Sequence, residues 1–256
     1  MRDPHVERLR FTIGSEKGSE YDNPKPLEFE HTLGHFRTEE GVLLVEPVEH
    51  FPDEATARSA IEPFLKNWEI GADLGGYAGA IRFRFLGAEV VDRNPPPPGG
   101  SQHITLAGSV RFGITTAASL TVTRRSYPPP PADFTASLDV VSAYDRWLGY
   151  RAGKEPLQSM AYFVYTITRA RTRNLAEAAR MLYVDKRILI ELKRLASTKG
   201  DPLTARKAPR DGQFEKLTDT ERAWLEQTVP KIIRRLGEHA AGAPLTLMRL
   251  NDLPPL

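Results

Sequence analysis

Residues 155–196 read EPLQSMAYFVYTITRARTRNLAEAARMLYVDKRILIELKRLA, and the fold reading starts from their apolar pattern. Leu157, Met160, Ala161, Val164, Ile167 and Thr168 recur at the i, i+3, i+4, i+7 spacing of one helix face. Tyr162, Phe163 and Tyr165 cover the other side. A helix apolar on most of its circumference is one surrounded by other elements. This one is about 15 residues long, short of the roughly 20 a bilayer span needs, so it is expected to be the core helix of a bundle. The segments after it carry narrower stripes, Leu175, Ala178, Ala179 and Leu182, then Ile188, Leu189, Leu192 and Leu195, as helices packed round a centre do.

Upstream, Ser137–Tyr150 places Leu138, Val141, Tyr144 and Leu148 in helical register. Downstream, a helix is expected near 218–241. Thr218 with Glu221 fits a capping box, and Leu225, Val229, Ile232, Ile233 and Leu236 supply its apolar stripe. Pro230 is expected to kink it. Between them, residues 197–213 are polar and basic and read as an exposed loop. The terminal NDLPPL reads as a short tail held by its leucines.

The first half has a different texture. Arg8–Ile13 and Leu27–Thr32 alternate as half-buried strands do, and Gly41–Pro47 reads as their buried neighbour. Pro52-Asp53-Glu54 opens a helix whose stripe includes Ala57, Ala60, Ile61 and Leu65, with Pro63 expected to break or bend it. GADLGGYAGA (71–80) reads as a flexible turn before strands at 80–85 and 88–92. Further strands are expected at 102–112 and 119–126, with the proline runs at 95–98 and 128–131 as extended punctuation. The expectation is an α+β chain in two domains: a strand-rich acidic domain over 1–132, then an all-α basic helical bundle over 133–256.

Charge follows the same division. Residues 1–150 carry 15 Lys+Arg against 21 Asp+Glu, and residues 151–256 carry 20 against 12, so a net charge of +2 hides an acidic half and a basic half. A basic half beside an acidic half points to a polyanion partner for one of them, to contact between the two, or to a solvated surface. With no cysteine, disulfides, thiolate metal sites and cysteine nucleophiles are excluded. No long apolar window or secretory pattern occurs, so the expected location is cytoplasmic, with no membrane partner.

Chemistry in the first half is sparse. GADLGGYAGA matches no phosphate-cradling pattern, and no serine sits in a GxSxG elbow. His31, His35 and His50 with Glu28 or Glu30 make the only metal-like grouping. Alternation puts Glu28 and Glu30 on one strand face and His31 on the other, and Gly34 is expected to end the strand before His35. No metal site and no cofactor is expected.

In the second half, NLAEAARMLYVDKRILIELKRLA (174–196) resembles a helix-turn-helix: an alanine-rich first helix, a short turn, apolar Val184, and a second helix. Tyr183 stands where that family prefers glycine, and Glu191 shares a face with Arg187 and Arg194. The resemblance implies a second helix in the DNA major groove, with Lys186, Arg187, Lys193 and Arg194 on phosphates and base edges. RRLGEH, ending at His239, is similar to the Arg-x4-His signature of HEPN-type ribonucleases. That resemblance implies metal-independent RNA cleavage across a homodimer, with Arg234 steadying charge and His239 moving a proton. On an ideal helix Arg235, not Arg234, shares a face with His239. The leading expectation is a non-catalytic binding protein whose basic helical domain contacts nucleic acid, RNA or DNA, or a partner subunit. The ribonuclease and a DNA-binding regulator are the alternatives.

Overall fold

The computed structural model describes residues 3–16, 19–77, 79–94, 122–199 and 215–256. The chain divides into two compact units, Met1–Pro131 and Ala132–Leu256. It is an α+β chain with its strands in the first unit and its helices mostly in the second. The strand expected at 102–112 lies outside the described residues, as does most of the basic loop after residue 199.

The first unit is built on an antiparallel sheet of β1 (Pro4–Gly14), β3 (Glu28–His31), β4 (Gly34–Glu39), β5 (Val42–Pro47) and β6 (Arg82–Asp92), in the order β3-β4-β5-β1-β6. Alternation sends Leu9, Phe11, Phe36, Leu43 and Val45 to one face. There they meet Ala57, Ile61, Leu65 and Trp68 of α1 (Glu54–Ala72), forming the core. Asp53 caps α1 by accepting from the Thr56 N–H at 2.8 Å.

Pro63 does not split this helix, contrary to expectation: α1 is one 19-residue element. The ring lies on the exposed side, where water can meet the freed carbonyl of Ser59. The segments 80–85 and 88–92 likewise form one strand. Between them the register with β1 shifts by one residue at Leu86, so a β-bulge stands where a strand end was read.

β3 ends at His31, short of Gly34 as expected, and His35 lies in the next strand, because β4 begins at Gly34. A Cβ at Gly34 would lie 2.4 Å from the Glu46 carbonyl oxygen, so only glycine lets β4 approach β5 there. At the other end of that pair, Glu40 and Gly41 both take left-handed φ, +47° and +79°, closing a two-residue hairpin whose twist matches the strands.

A second, small sheet pairs β2 (Ser19–Lys25) in parallel with β7 (Val122–Ser126). The proline run that follows closes over the core, its Pro128 carbonyl accepting from the Trp68 indole at 2.9 Å.

The second unit holds α2 (Leu138–Arg151), α3 (Leu157–Ala170), α4 (Leu175–Met181), α5 (Lys186–Thr198) and α6 (Asp219–Ala240). α3 packs against each of the other four. Its Leu157, Met160, Ala161, Val164 and Thr168 are buried, while Tyr162, Phe163 and Ile167 are half-buried and Thr166 is exposed. The capping box at Thr218 and Glu221 forms in both directions, and α6 runs unbroken through Pro230. No described helix is long and apolar enough to cross a membrane.

Candidate nucleic-acid interface

α4 and α5 are joined by a turn at Leu182–Asp185. Asn174 starts α4, its side chain accepting from the Glu177 N–H at 3.0 Å. Ala178 and Ala179 are buried; with no bulk beyond Cβ they let the following helix approach closely. Leu182 and Val184 point inward, and Tyr183 between them is half exposed. Its φ is +53°, the left-handed region that non-glycine side chains enter at a cost of about 1–2 kcal/mol. The turn geometry is therefore one that glycine fits, carried here by a tyrosine.

The turn is held from outside as well. Val184 forms a parallel bridge with Met248. The Asp185 N–H donates to the Met248 carbonyl at 2.8 Å, and the Met248 N–H donates to the Tyr183 carbonyl at 3.0 Å. Lys231 adds a donor to the Asp252 carbonyl at 2.9 Å, and Leu253 is buried, so the terminal segment is docked as its leucines suggest.

Tyr183→Gly is expected to stabilise the second unit by up to about 1 kcal/mol, since strain relief exceeds the backbone entropy of glycine only slightly. Chemical denaturation checks this. A loss above about 1 kcal/mol would mean that the ring's contacts outweigh the strain.

α5 divides cleanly. Ile188, Leu189, Leu192, Leu195, Ala196 and Ser197 are buried. Lys186, Arg187, Ile190, Lys193 and Arg194 are exposed. All four cations named from the sequence thus lie on the solvent side of one helix. Their electrostatic states differ. Arg187 grips Asp185 through two guanidinium nitrogens, at 3.0 and 2.6 Å. That contact holds the Asp185 carboxyl below its ordinary value. Arg194 bonds Glu191 at 2.7 Å and reaches Glu221 at 3.5 Å. Lys186 and Lys193 have no ion-pair partner among the described residues. Exposed pairs of this kind are worth about 0–1 kcal/mol, so a phosphate can displace either arginine's carboxylate.

The other proposed site is arranged differently. Arg234 donates to Glu238 at 2.7 Å and Arg235 donates to the same carboxylate at 3.0 Å. Arg235 also donates to the Thr246 carbonyl at 2.7 Å, which ties the terminal segment to α6. His239 lies exposed in the last turn, with no ring partner among the described residues. The structure therefore joins both arginines to Glu238 rather than to His239. Gly237, within the same motif, serves packing: a Cβ there would lie 2.1 Å from the Phe134 ring.

In the first unit the histidines are spread out. His35 lies between Glu30 and Glu28, at 2.8 and 3.1 Å, with both ring nitrogens engaged. His31 packs on Phe64 at 4.3 Å between centroids, and His50 stacks on His5 at 5.1 Å. Burial is the main cause that lowers the His5 pKa. Among the described residues no group of three or more His, Asp or Glu side chains is arranged to hold a metal ion. A cleft of about 700 Å³ between α1 and β6 is lined by Phe11, Arg58, Lys66, Glu69, Phe83 and Phe85. There burial pushes the Glu69 carboxyl up while it accepts from the Phe83 N–H at 2.7 Å.

Sequence reasoning overlooked Ile190 and the Met248 segment. Ile190 had a signal, an aliphatic residue off the apolar stripe and among cations; Met248, distant in sequence, had none. No known protein family, characterised protein or solved structure matches the chain.

Proposed function

We propose that the chain is a non-catalytic nucleic-acid-binding protein that lays α5 in the major groove of duplex DNA. The supporting observation is the exposed face of α5, where Lys186, Arg187, Lys193 and Arg194 stand together on a helix anchored from behind by its apolar stripe. Helix diameter suits the major groove, and the turn before α5 sets its angle. Glu191 is held by Arg194, which offsets its repulsion of phosphate. The ribonuclease is the second reading: Arg234 and Arg235 both bond Glu238, and His239 has no hydrogen bond to either among the described residues.

The test is duplex binding followed by fluorescence anisotropy across a salt series. Lys186→Ala and Lys193→Ala are each expected to lower the slope of log K against log[salt] by about one. Unchanged slopes would remove α5 from the interface. Absence of duplex binding at low salt would remove the DNA reading and leave an acidic partner protein for this face.

A further inference from the structure

We infer that Ile190 is a specificity-determining residue that reads the C5-methyl group of thymine in the groove occupied by α5. The inference rests on the DNA-binding reading above and goes beyond it, from where the chain binds to which base it prefers.

Ile190 is 43% exposed, yet α5 has a complete apolar stripe without it. It therefore does not serve the core of the second unit. Its helical neighbours are Lys186 at i−4, Arg187 at i−3, Lys193 at i+3 and Arg194 at i+4, all exposed. It is the one large apolar side chain on that face and stands at the centre of the four cations.

The arrangement has a chemical consequence. Cations on both flanks can reach phosphates of the two strands, which places the middle of the face over the base edges. At that position isoleucine can neither donate nor accept a hydrogen bond. Among the base edges of the major groove, only the thymine methyl offers an apolar surface. Over guanine, adenine or cytosine, Ile190 would cover polar atoms and leave them unpaired, so its presence also disfavours those bases. The side chain is β-branched and stiff at χ1, so it loses little rotamer freedom on contact.

The experiment compares alternating d(A-T) and d(A-U) duplexes, which differ by the C5-methyl alone. Affinities are measured by anisotropy at one salt concentration with the full chain. The wild-type chain is expected to bind the thymine duplex about three- to fivefold more tightly, the effect of one buried methyl. Ile190→Ala is expected to bind both duplexes equally, with an unchanged salt slope and an unchanged unfolding midpoint. Equal wild-type binding of the two duplexes would overturn the inference while leaving DNA binding intact. So would a thymine preference that survives in Ile190→Ala, since the methyl would then be read by another residue. Failure of the wild-type chain to bind either duplex would instead overturn the DNA reading, and this inference with it.

Discussion

Asp73→Ala is expected to cost the first unit about 3–5 kcal/mol, the loss that follows when one partner of a buried ion pair is removed. The Asp73 side chain is 3% exposed. One oxygen accepts from the Gly79 N–H at 2.9 Å and from Arg82 at 3.1 Å, and the other accepts from Arg82 at 2.5 Å. Arg82 also reaches Glu16 at 2.6 Å, and the Glu16 N–H donates to the Gly79 carbonyl at 2.8 Å. Asp73 therefore ties the end of α1 to the start of β6 across the glycine-rich stretch between them. Alanine would leave the Gly79 N–H without that acceptor and would take from Arg82 the buried carboxylate that it meets through two nitrogens. Asp73→Asn keeps an oxygen for Gly79 but no charge for Arg82, and its cost should be smaller, about 1–2 kcal/mol. Amide hydrogen exchange of β6 measures both. If Ala and Asn cost the same, the lost charge accounts for the whole effect and the retained oxygen contributes nothing. If Ala costs under about 1 kcal/mol, the clamp is not what orders this segment.

That result bears on what a reader of the sequence could see. GADLGGYAGA reads as a flexible turn, because its glycines are visible and the partner of its one aspartate is not. Arg82 lies nine residues on, past the turn, and only the fold brings it back to Asp73. Periodicity was legible where a single face meets a single core. The stripes of α3 and α5, the alternation of β1 and the capping box at Thr218 and Glu221 all belong to this kind. Breakers were less legible. Pro63 sits in an unbroken helix because it faces solvent, and the Leu86 bulge lies inside a strand. Gly34 opens β4 because Glu46 presses close to it, a fact about a neighbouring strand. The site divided along the same line. Local spacing placed four cations on one face of α5. It could not show that Glu238 would take both Arg234 and Arg235, or that the Tyr183 backbone would hold the left-handed turn.

Glu221→Ala should cost the second unit about 2–4 kcal/mol, and Glu221→Gln about half of that. Glu221 does two things at once. As the third residue of α6 it accepts from the Thr218 N–H at 3.0 Å, while its own N–H donates to the Thr218 hydroxyl at 3.1 Å. As a carboxylate, 12% exposed, it lies 3.3 Å from Lys199 and 3.5 Å from Arg194. The Lys199 side chain is 8% exposed and keeps Glu215 as its other partner. Glutamine preserves the cap and removes the charge, so the difference between the two variants isolates the capping contribution. Burial alone would raise the Glu221 pKa, but the Thr218 N–H, Lys199 and Arg194 outweigh it, and the net shift is downward from 4.5. The carboxylate's contribution is therefore complete above pH 4.5 and is lost as pH falls through the lowered folded value. The gap between wild type and Glu221→Gln, read from hydrogen exchange of α6, should close on acidification; a constant gap would assign the cost to packing. Glu221→Gln also frees Arg194 from one of its two carboxylates on the proposed DNA face. Duplex affinity should then rise modestly even as stability falls. If it falls in step with stability, Glu221 is needed to hold α5 in its binding position, and the anchoring of the helix outweighs the competition for Arg194.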